Sequence, residues 1–422
     1  MLVPASPARL VAPPREADVA VVGAGAAGIA ATRYLVRRGL RVATLEARSA
    51  VAGRAVTASF GGHPVDLGAH WLHAGEMNPL VPLARSRGEP LRRAPGAGAL
   101  VLDGRFASAE EARRLGEAFE RADAAFGRAG KADTDTSLAA AMPPLGPWGA
   151  AIAATMALVS GRPLREVSVK DFPSEEFGNN YFVRGGYGAY LSRLASGLPV
   201  ALATPVEAID WSGEGVRLAT PSGTLSARAA VVTVPIALLA GGGVRFTPGL
   251  PDATAEAIAA FLPGTYEHVI LNWPGSPFRG ADRLVKLMNN GRSAGMMTNI
   301  DGAPFHYFEL DRDAAVSLRG GAARGRYARD VLAGLFGARA IGGARVLAAT
   351  DWDGDPWSRC AWAVVPPGRV GARAALGTPI GDRVWLAGEA NSDALWGTVG
   401  GAWQEGERAA AAAADRVAGP SP

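Results

Sequence analysis

The residues best spaced to do chemistry begin at the hexapeptide Gly23-Ala24-Gly25-Ala26-Ala27-Gly28, followed by Glu46. Gly23 permits a tight turn, Gly25 lets the backbone approach a pyrophosphate, and Gly28 lets a helix lie close on a strand. Free N–H groups at the start of that helix offer partial positive charge to phosphates. Glu46 sits at about the ~20-residue offset from which a carboxylate reaches a ribose hydroxyl. This spacing serves dinucleotide binding. The glycine pattern alone would be weak in a chain with 55 glycines in 422 residues, so its weight comes from its flanks.

Those flanks are the elements that must hold the loop. Residues 19–22 read as a short apolar strand, an Ala-rich helical segment follows, and 41–45 read as a second strand ending at Glu46: a βαβ unit. Residues 78–180 differ in character. Ser108 and Glu111 form a capping box. Phe106, Leu115, Phe119 and Phe126 then recur at roughly helical spacing, and 150–160 is a nearly all-apolar helix beyond a Pro-rich corner. We read 78–180 as a helical insertion. Residues 181–240 return to β structure. They hold a strand at 205–211, a hairpin of 216–220 and 224–229 across Pro221-Ser222-Gly223, and a separate buried strand at 230–234. Residues 240–365 alternate strands and loops, including 269–273 and 306–310, and no internal repeat is evident.

Composition excludes several classes. The chain is 48% hydrophobic and 19% charged, enough to bury large cores. A single cysteine, Cys360, leaves no internal disulfide framework and argues against a Cys-based metal site. Net charge is only +4, nearly all basic residues are Arg, and Lys occurs only at 131, 170 and 286. With Ala and Gly so abundant, this reads as coding bias and argues against a nucleic-acid surface. The first 17 residues hold four Pro and no long apolar core, which fails as a secretory signal. No 18-residue uncharged apolar stretch reads as a membrane span. The expectation is a cytoplasmic protein with no metal.

Further motifs extend the glycine loop. Gly53-Arg54 follows Glu46-Ala47-Arg48, and then comes Gly68-Ala69-His70-Trp71-Leu72-His73. Near the other end, Gly388-Glu389 follows a strand-like segment, and Gly397-Thr398-Val399-Gly400-Gly401-Ala402 opens a helix. In family order these blocks resemble the flavin-containing amine oxidases of the monoamine and polyamine oxidase type. The resemblance implies FAD, with Glu46, Ala47, Arg48, Gly53, Arg54, Gly68, Ala69, His70 and Trp71 among its contacts. It has Val206 pairing backbone groups with the adenine, Val234 marking the exit to a second domain, and Glu389 at the ribityl hydroxyls. The helix start at Thr398, Val399 and Ala402 would face the flavin edge that becomes anionic on reduction, where a helix dipole is favourable.

The same resemblance assigns chemistry to aromatic and imidazole side chains. Trp352, Trp357 and Trp362 are spaced by fives in a segment similar to the one that flanks the flavin. Trp362 falls where monoamine oxidases place one Tyr of an aromatic sandwich, and Thr398 falls where they place the other. Aromatic faces steer amines by cation–π attraction. The flavin-linking Cys of monoamine oxidases corresponds to Ala361, with Cys360 one residue early, so the FAD is expected to be non-covalent. His73 matches a substrate-side His of polyamine oxidases. The family Lys that holds a water against the flavin is His268 here. An imidazole can bind that water and titrates near neutrality. Lys286 is the reserve candidate, and Asp171, Glu175 and Glu176 could draw a polyamine toward a channel.

The expected fold is α/β: a Rossmann-like FAD-binding domain (15–75, 181–240 and 365–420) interleaved with a mixed-sheet substrate domain and helical insertion (76–180 and 241–364). The expected function is FAD-dependent oxidation of a small-molecule amine with O2 as acceptor, in a monomer or homodimer. The alternatives are a desaturase or dehydrogenase of an apolar substrate, or a non-catalytic flavoprotein.

Overall fold

The computed structural model describes residues 13–95, 98–172, 178–289 and 292–419. The βαβ unit is present as strand Glu16–Val22, helix Ala26–Arg37 and strand Val42–Leu45, the two strands parallel and paired from Val19↔Val42 to Val22↔Leu45. They belong to an eight-stranded sheet. Residues 223–232 form one strand in that sheet, where the sequence suggested two. Its first half pairs antiparallel with Val216–Thr220 and its last residues pair parallel with Val384–Leu386. Parallel pairing to Glu16–Val22 keeps one register along it, from Glu16↔Ser226 to Val22↔Val232, so the change of partner on the other edge does not break the strand. Arg245–Thr247, past the boundary expected at 240, also joins this sheet, beside Ala208–Asp210.

The terminal helix Val399–Ala418 closes the unit against helix Ala26–Arg37. A Cβ on Gly406 would lie 2.1 Å from the Ala27 carbonyl oxygen, so the two backbones approach as closely as glycine allows. Ala409, Ala410, Ala413 and Ala414 are buried along the same helix, which gives the Ala run a packing reason. A Cβ on Gly28 would lie 1.9 Å from the Gly23 carbonyl oxygen, the close helix–loop approach expected of it.

The second main sheet has seven strands. Its order is Arg345–Ala349, His268–Asn272, Phe305–Glu309, Arg292–Thr298, Arg283–Asn289, Ala99–Leu102, Arg105–Phe106. Two of these lie within 78–180, so that region is not purely helical. Its strands extend this sheet, and its helices Ala109–Gly130 and Gly149–Ser160 pack with Leu100 and Val364 in one core cluster. The capping box at Ser108 and Glu111 is formed, with both reciprocal hydrogen bonds present. Register sets the functional geometry. Leu100, Lys286, Gly295, Glu309 and His268 lie directly opposite one another across five strands. Residues paired this way project to the same face of a sheet.

Candidate active site

A cavity of about 1060 Å³ runs from the glycine loop to the second sheet. One arm is lined by Gly23, Gly25, Ala26, Glu46, Ala47, Arg48, Gly53, Arg54, Val206 and Val234, and by Gly388 and Glu389 from the C-terminal motif. Gly68, Ala69, His70, Trp71, His73, Trp352, Trp357, Trp362, Thr398, Val399 and Ala402 line its continuation. Of the described residues given a cofactor or substrate role in the sequence, Gly28, Asp171 and His268 do not line it. Gly28 serves the packing just described.

The nucleotide arm is tied together by charge. Glu46 is buried and accepts hydrogen bonds from the backbone N–H of Ala24 (2.6 Å) and Arg48 (2.8 Å), while burial raises its pKa. The Arg48 guanidinium donates twice to Asp355 (2.8 and 2.7 Å) and once to Ser358 (2.7 Å), which fixes the loop carrying Trp357. Arg54 donates to the Ala361 carbonyl (2.7 Å) and to Glu389 (3.2 Å). That pair joins the N-terminal and C-terminal motifs 335 residues apart in sequence. A Cβ on Gly68 would lie 2.8 Å from the Trp352 ring, so this glycine is where the indole packs. Cys360 is buried, with its sulfur directed to the Ser358 carbonyl, and burial pushes its thiol up to about 12. Ala361, not Cys360, lines the cavity.

The donor set fits FAD. Glycine loop and helix start suit a pyrophosphate, Glu46 and Glu389 suit sugar and ribityl hydroxyls, and the start of helix Val399–Ala418 borders the same cavity. Thr398 is the N-cap of that helix. Its hydroxyl accepts from the Gly401 N–H (3.0 Å) and donates to the Leu395 carbonyl (2.7 Å), so the threonine orients the helix start and its hydroxyl is engaged there. The ring facing Trp362 comes from Tyr266 instead, with centroids 5.5 Å apart. Trp362 is held by its indole N–H on the Ser160 carbonyl (3.0 Å).

Three imidazoles cluster beside the cavity. His70 stacks on Tyr307 (4.7 Å) with Nδ1 against the Gly68 carbonyl, and His73 stacks on Trp71 (5.7 Å). Burial pushes both down to about 4, so both are neutral at pH 7. His268 is fully buried behind the cavity wall, edge-on to His70 and Tyr307, with neither ring nitrogen in a hydrogen bond of ordinary geometry. Burial, with the neighbouring His70, pushes it down to about 3 against a weaker pull from the Asp66 backbone. The expectation that His268 titrates near neutrality is therefore corrected. A desolvated imidazole without an acidic partner stays uncharged.

The substrate arm carries groups the local sequence did not announce. Lys286 lines it, donating from Nζ to Thr155 (2.6 Å) and lying 4.3 Å over the Phe119 ring. Burial pushes this lysine down to about 8. Glu309 lies over Gly295 and accepts from the Tyr266 hydroxyl (3.2 Å), and burial raises its pKa. The register puts Lys286 three strands from His268, about 14 Å at the usual strand spacing. Lys286 thus belongs to the far end of the cavity. Its signal in the sequence was its rarity among 40 arginines, but its neighbours follow only from the strand register. Asp171 is committed to a two-pronged pair with Arg373 (2.7 and 2.8 Å), and Glu175 and Glu176 lie outside the described residues.

A model of the family described as "Flavin containing amine oxidoreductase" matches residues 26–414, and the chain belongs to that family. It is 26% identical to human lysine-specific histone demethylase 2, over 93% of this chain and 53% of that protein. It is 31% identical to polyamine oxidase 2 of Arabidopsis thaliana, over 63% of this chain and 61% of that protein. The chain thus spans a little over half the length of these curated relatives. A putrescine oxidase structure with putrescine bound superposes with a TM-score of 0.76 at 19% identity, covering 94% of this chain and 98% of that one. The fold is therefore that of a flavin amine oxidase, and FAD is the group this cavity suits. No described helix is long and apolar enough to cross a membrane.

Proposed function

We propose that the chain is an FAD-dependent oxidase of a primary or secondary amine, polyamines included, in which the carbon next to nitrogen is oxidised and the imine hydrolyses. When bound, FAD supplies the two-electron acceptor for a hydride from that carbon and returns the electrons to O2 as hydrogen peroxide. The chain supplies position and polarity. Trp362 and Tyr266 present aromatic faces that attract a cationic amine. Glu309, with its raised pKa, is suited to take the ammonium proton so that nitrogen reacts neutral. His73 and His70 stay neutral and add no cationic charge to the wall. The observation that carries the reading is the Trp362–Tyr266 pair on a cavity continuous with the dinucleotide arm. An apolar-substrate desaturase has no use for an ionisable Glu309 at that place.

His268 takes the role of the family lysine in this proposal, holding a buried water through its unpartnered ring nitrogens. Being uncharged, it lends less electrostatic help to reoxidation than a lysine would. The test is stopped-flow spectroscopy of the FAD-loaded enzyme. Anaerobic bleaching by an amine, with peroxide formed on admitting air, is the expected result; a flavin that no amine bleaches overturns the proposal. In His268→Ala, reoxidation by O2 is expected to slow several-fold. Wild-type rates in both half-reactions would remove His268 from the mechanism.

A further inference from the structure

The proposed activity leaves the nature of the amine open, and the far end of the cavity restricts it. Among the described residues, the acidic and basic side chains lining that end are Lys286, Glu309 and Asp311. Asp311 is already engaged: one oxygen accepts from the Ala314 N–H (3.0 Å) of the helix it caps, and the other from the Tyr327 hydroxyl on the next helix. Glu309 is tied to Tyr266 and seated over Gly295. Lys286 differs from both. Its ammonium carries three N–H donors, and Thr155 takes one. The remaining direct contact is the face of Phe119, which attracts the charge without filling a donor. Around it the wall is Leu100, Leu115, Leu158 and small residues such as Ala112, Gly116 and Ala294, so there is room beside the ammonium and little to hydrate it.

A buried ammonium with unfilled donors calls for an anion. It also opposes the entry of a second ammonium, because like charges in a desolvated site repel strongly. Both arguments point away from a polyamine whose far end is cationic. Glu309 and Lys286 lie on strands two apart, about 10 Å between backbones. Lys286 and Glu309 attract each other through space, but Lys286 hydrogen-bonds to Thr155 and Glu309 to Tyr266, so neither is closed off by a direct pair and each can meet one end of a ligand.

We propose that the substrate is an amino acid or other amino-carboxylate, its carboxylate held by Lys286 and its nitrogen placed by Glu309, Tyr266 and Trp362; Thr155, whose own proton goes to the Ala151 carbonyl (2.9 Å), orients the ammonium by accepting one of its N–H groups. This rests on the amine-oxidase reading above. It makes Lys286 the residue that selects among amines. Helix Gly149–Ser160 acts by carrying Thr155, and helix Ala109–Gly130 by carrying Phe119.

The test compares three ligands of matched length with the FAD-loaded enzyme: aminopentanoate, pentylamine and diaminopentane, with shorter and longer homologues and the common α-amino acids. The expected order of kcat/KM puts an amino-carboxylate first. Lys286→Met should cut its preference over the alkylamine by about 100-fold, the scale of a charge-assisted hydrogen bond lost from a buried site. Lys286→Arg should restore part of it. Binding is read separately by the change in the flavin spectrum on adding pentanoate, which cannot be oxidised at nitrogen. Pentanoate should bind the wild type and lose at least tenfold in affinity to Lys286→Met. A diamine that outruns every amino-carboxylate, with pentanoate failing to perturb the flavin, overturns the proposal and leaves the amine-oxidase reading standing. Lys286-dependent pentanoate binding without bleaching by any amine would do the reverse: the anion site would hold and the amine chemistry would fall. Retained flavin and a melting temperature no lower than that of the wild type in the two variants exclude a folding defect.

Discussion

The two arms of the cavity are built by different means. The nucleotide arm comes from short segments in which backbone approaches ligand, and such approach demands glycine at fixed offsets. The substrate arm comes from side chains on strands whose neighbours are set by register, with Leu100, Lys286, Gly295, Glu309 and His268 meeting across five strands. Motifs of the first kind leave a signature in the sequence. Arrangements of the second kind leave almost none, because each residue alone has an ordinary reason to be where it is.

The sharpest way to break this division is Arg54→Ala. The Arg54–Glu389 pair joins the two halves of the nucleotide arm, and both side chains are largely buried. Removing the guanidinium leaves a buried carboxylate unpaired, at a cost of about 3–5 kcal/mol. The expected result is protein that loses its visible flavin absorbance on gel filtration and melts well below the wild type. Flavin content and melting temperature both unchanged would mean that the motifs do not depend on each other.

Trp362→Leu probes the other arm. It keeps an apolar side chain and removes the π face that confronts Tyr266. Cation–π attraction of about 0.5–2 kcal/mol converts to a fall of roughly 2- to 30-fold in amine kcat/KM, with flavin content near wild type. Loss of flavin in step with activity would place Trp362 in the nucleotide arm instead.

The same division explains what the sequence revealed. Gly23, Gly25 and Glu46 could be singled out locally because a βαβ turn sets them at fixed offsets within about 30 residues, whereas Arg54 and Glu389 were singled out only by the family resemblance, and their pairing follows from the fold. The capping box at Ser108 was likewise legible, being local. Tyr266 as the partner of Trp362 was not, because Leu262–Gly264 must first pair with Trp362–Val364 to bring them together. Thr398 was placed correctly at the helix start, but its hydroxyl could not be assigned until the Leu395 and Gly401 contacts were seen. His268 kept its strand position. Its charge state depended on burial among His70, Tyr266 and Tyr307, which pairwise spacing does not encode. The single strand at 223–232 was read as two because its edge partner changes midway.

The smallest effect separates binding from stability. Lys286 has its pKa lowered from 10.5 to about 8 by burial. Between those values the unfolded chain holds a proton that the folded chain has released, so stability rises with pH across that window. Below pH 8 both states are protonated, and the fold bears the full cost of an ammonium facing little water. Lys286→Met removes that cost. The variant should therefore be more stable than the wild type at pH 7, by about 1 kcal/mol once residual hydration in an open cavity is allowed for. The difference should shrink as pH rises from 8 toward 10.5, above which the wild-type lysine is neutral in both states. Melting curves at pH 7 and pH 10 check this directly. Adding pentanoate at pH 7 should raise the melting temperature of the wild type alone, because the anion pairs with the charge that the variant lacks. A variant less stable than the wild type at pH 7 would mean that Thr155 and Phe119 hold Lys286 as part of the fold. The substrate arm would then be a structural ion site, with the same standing as the pair at Arg54.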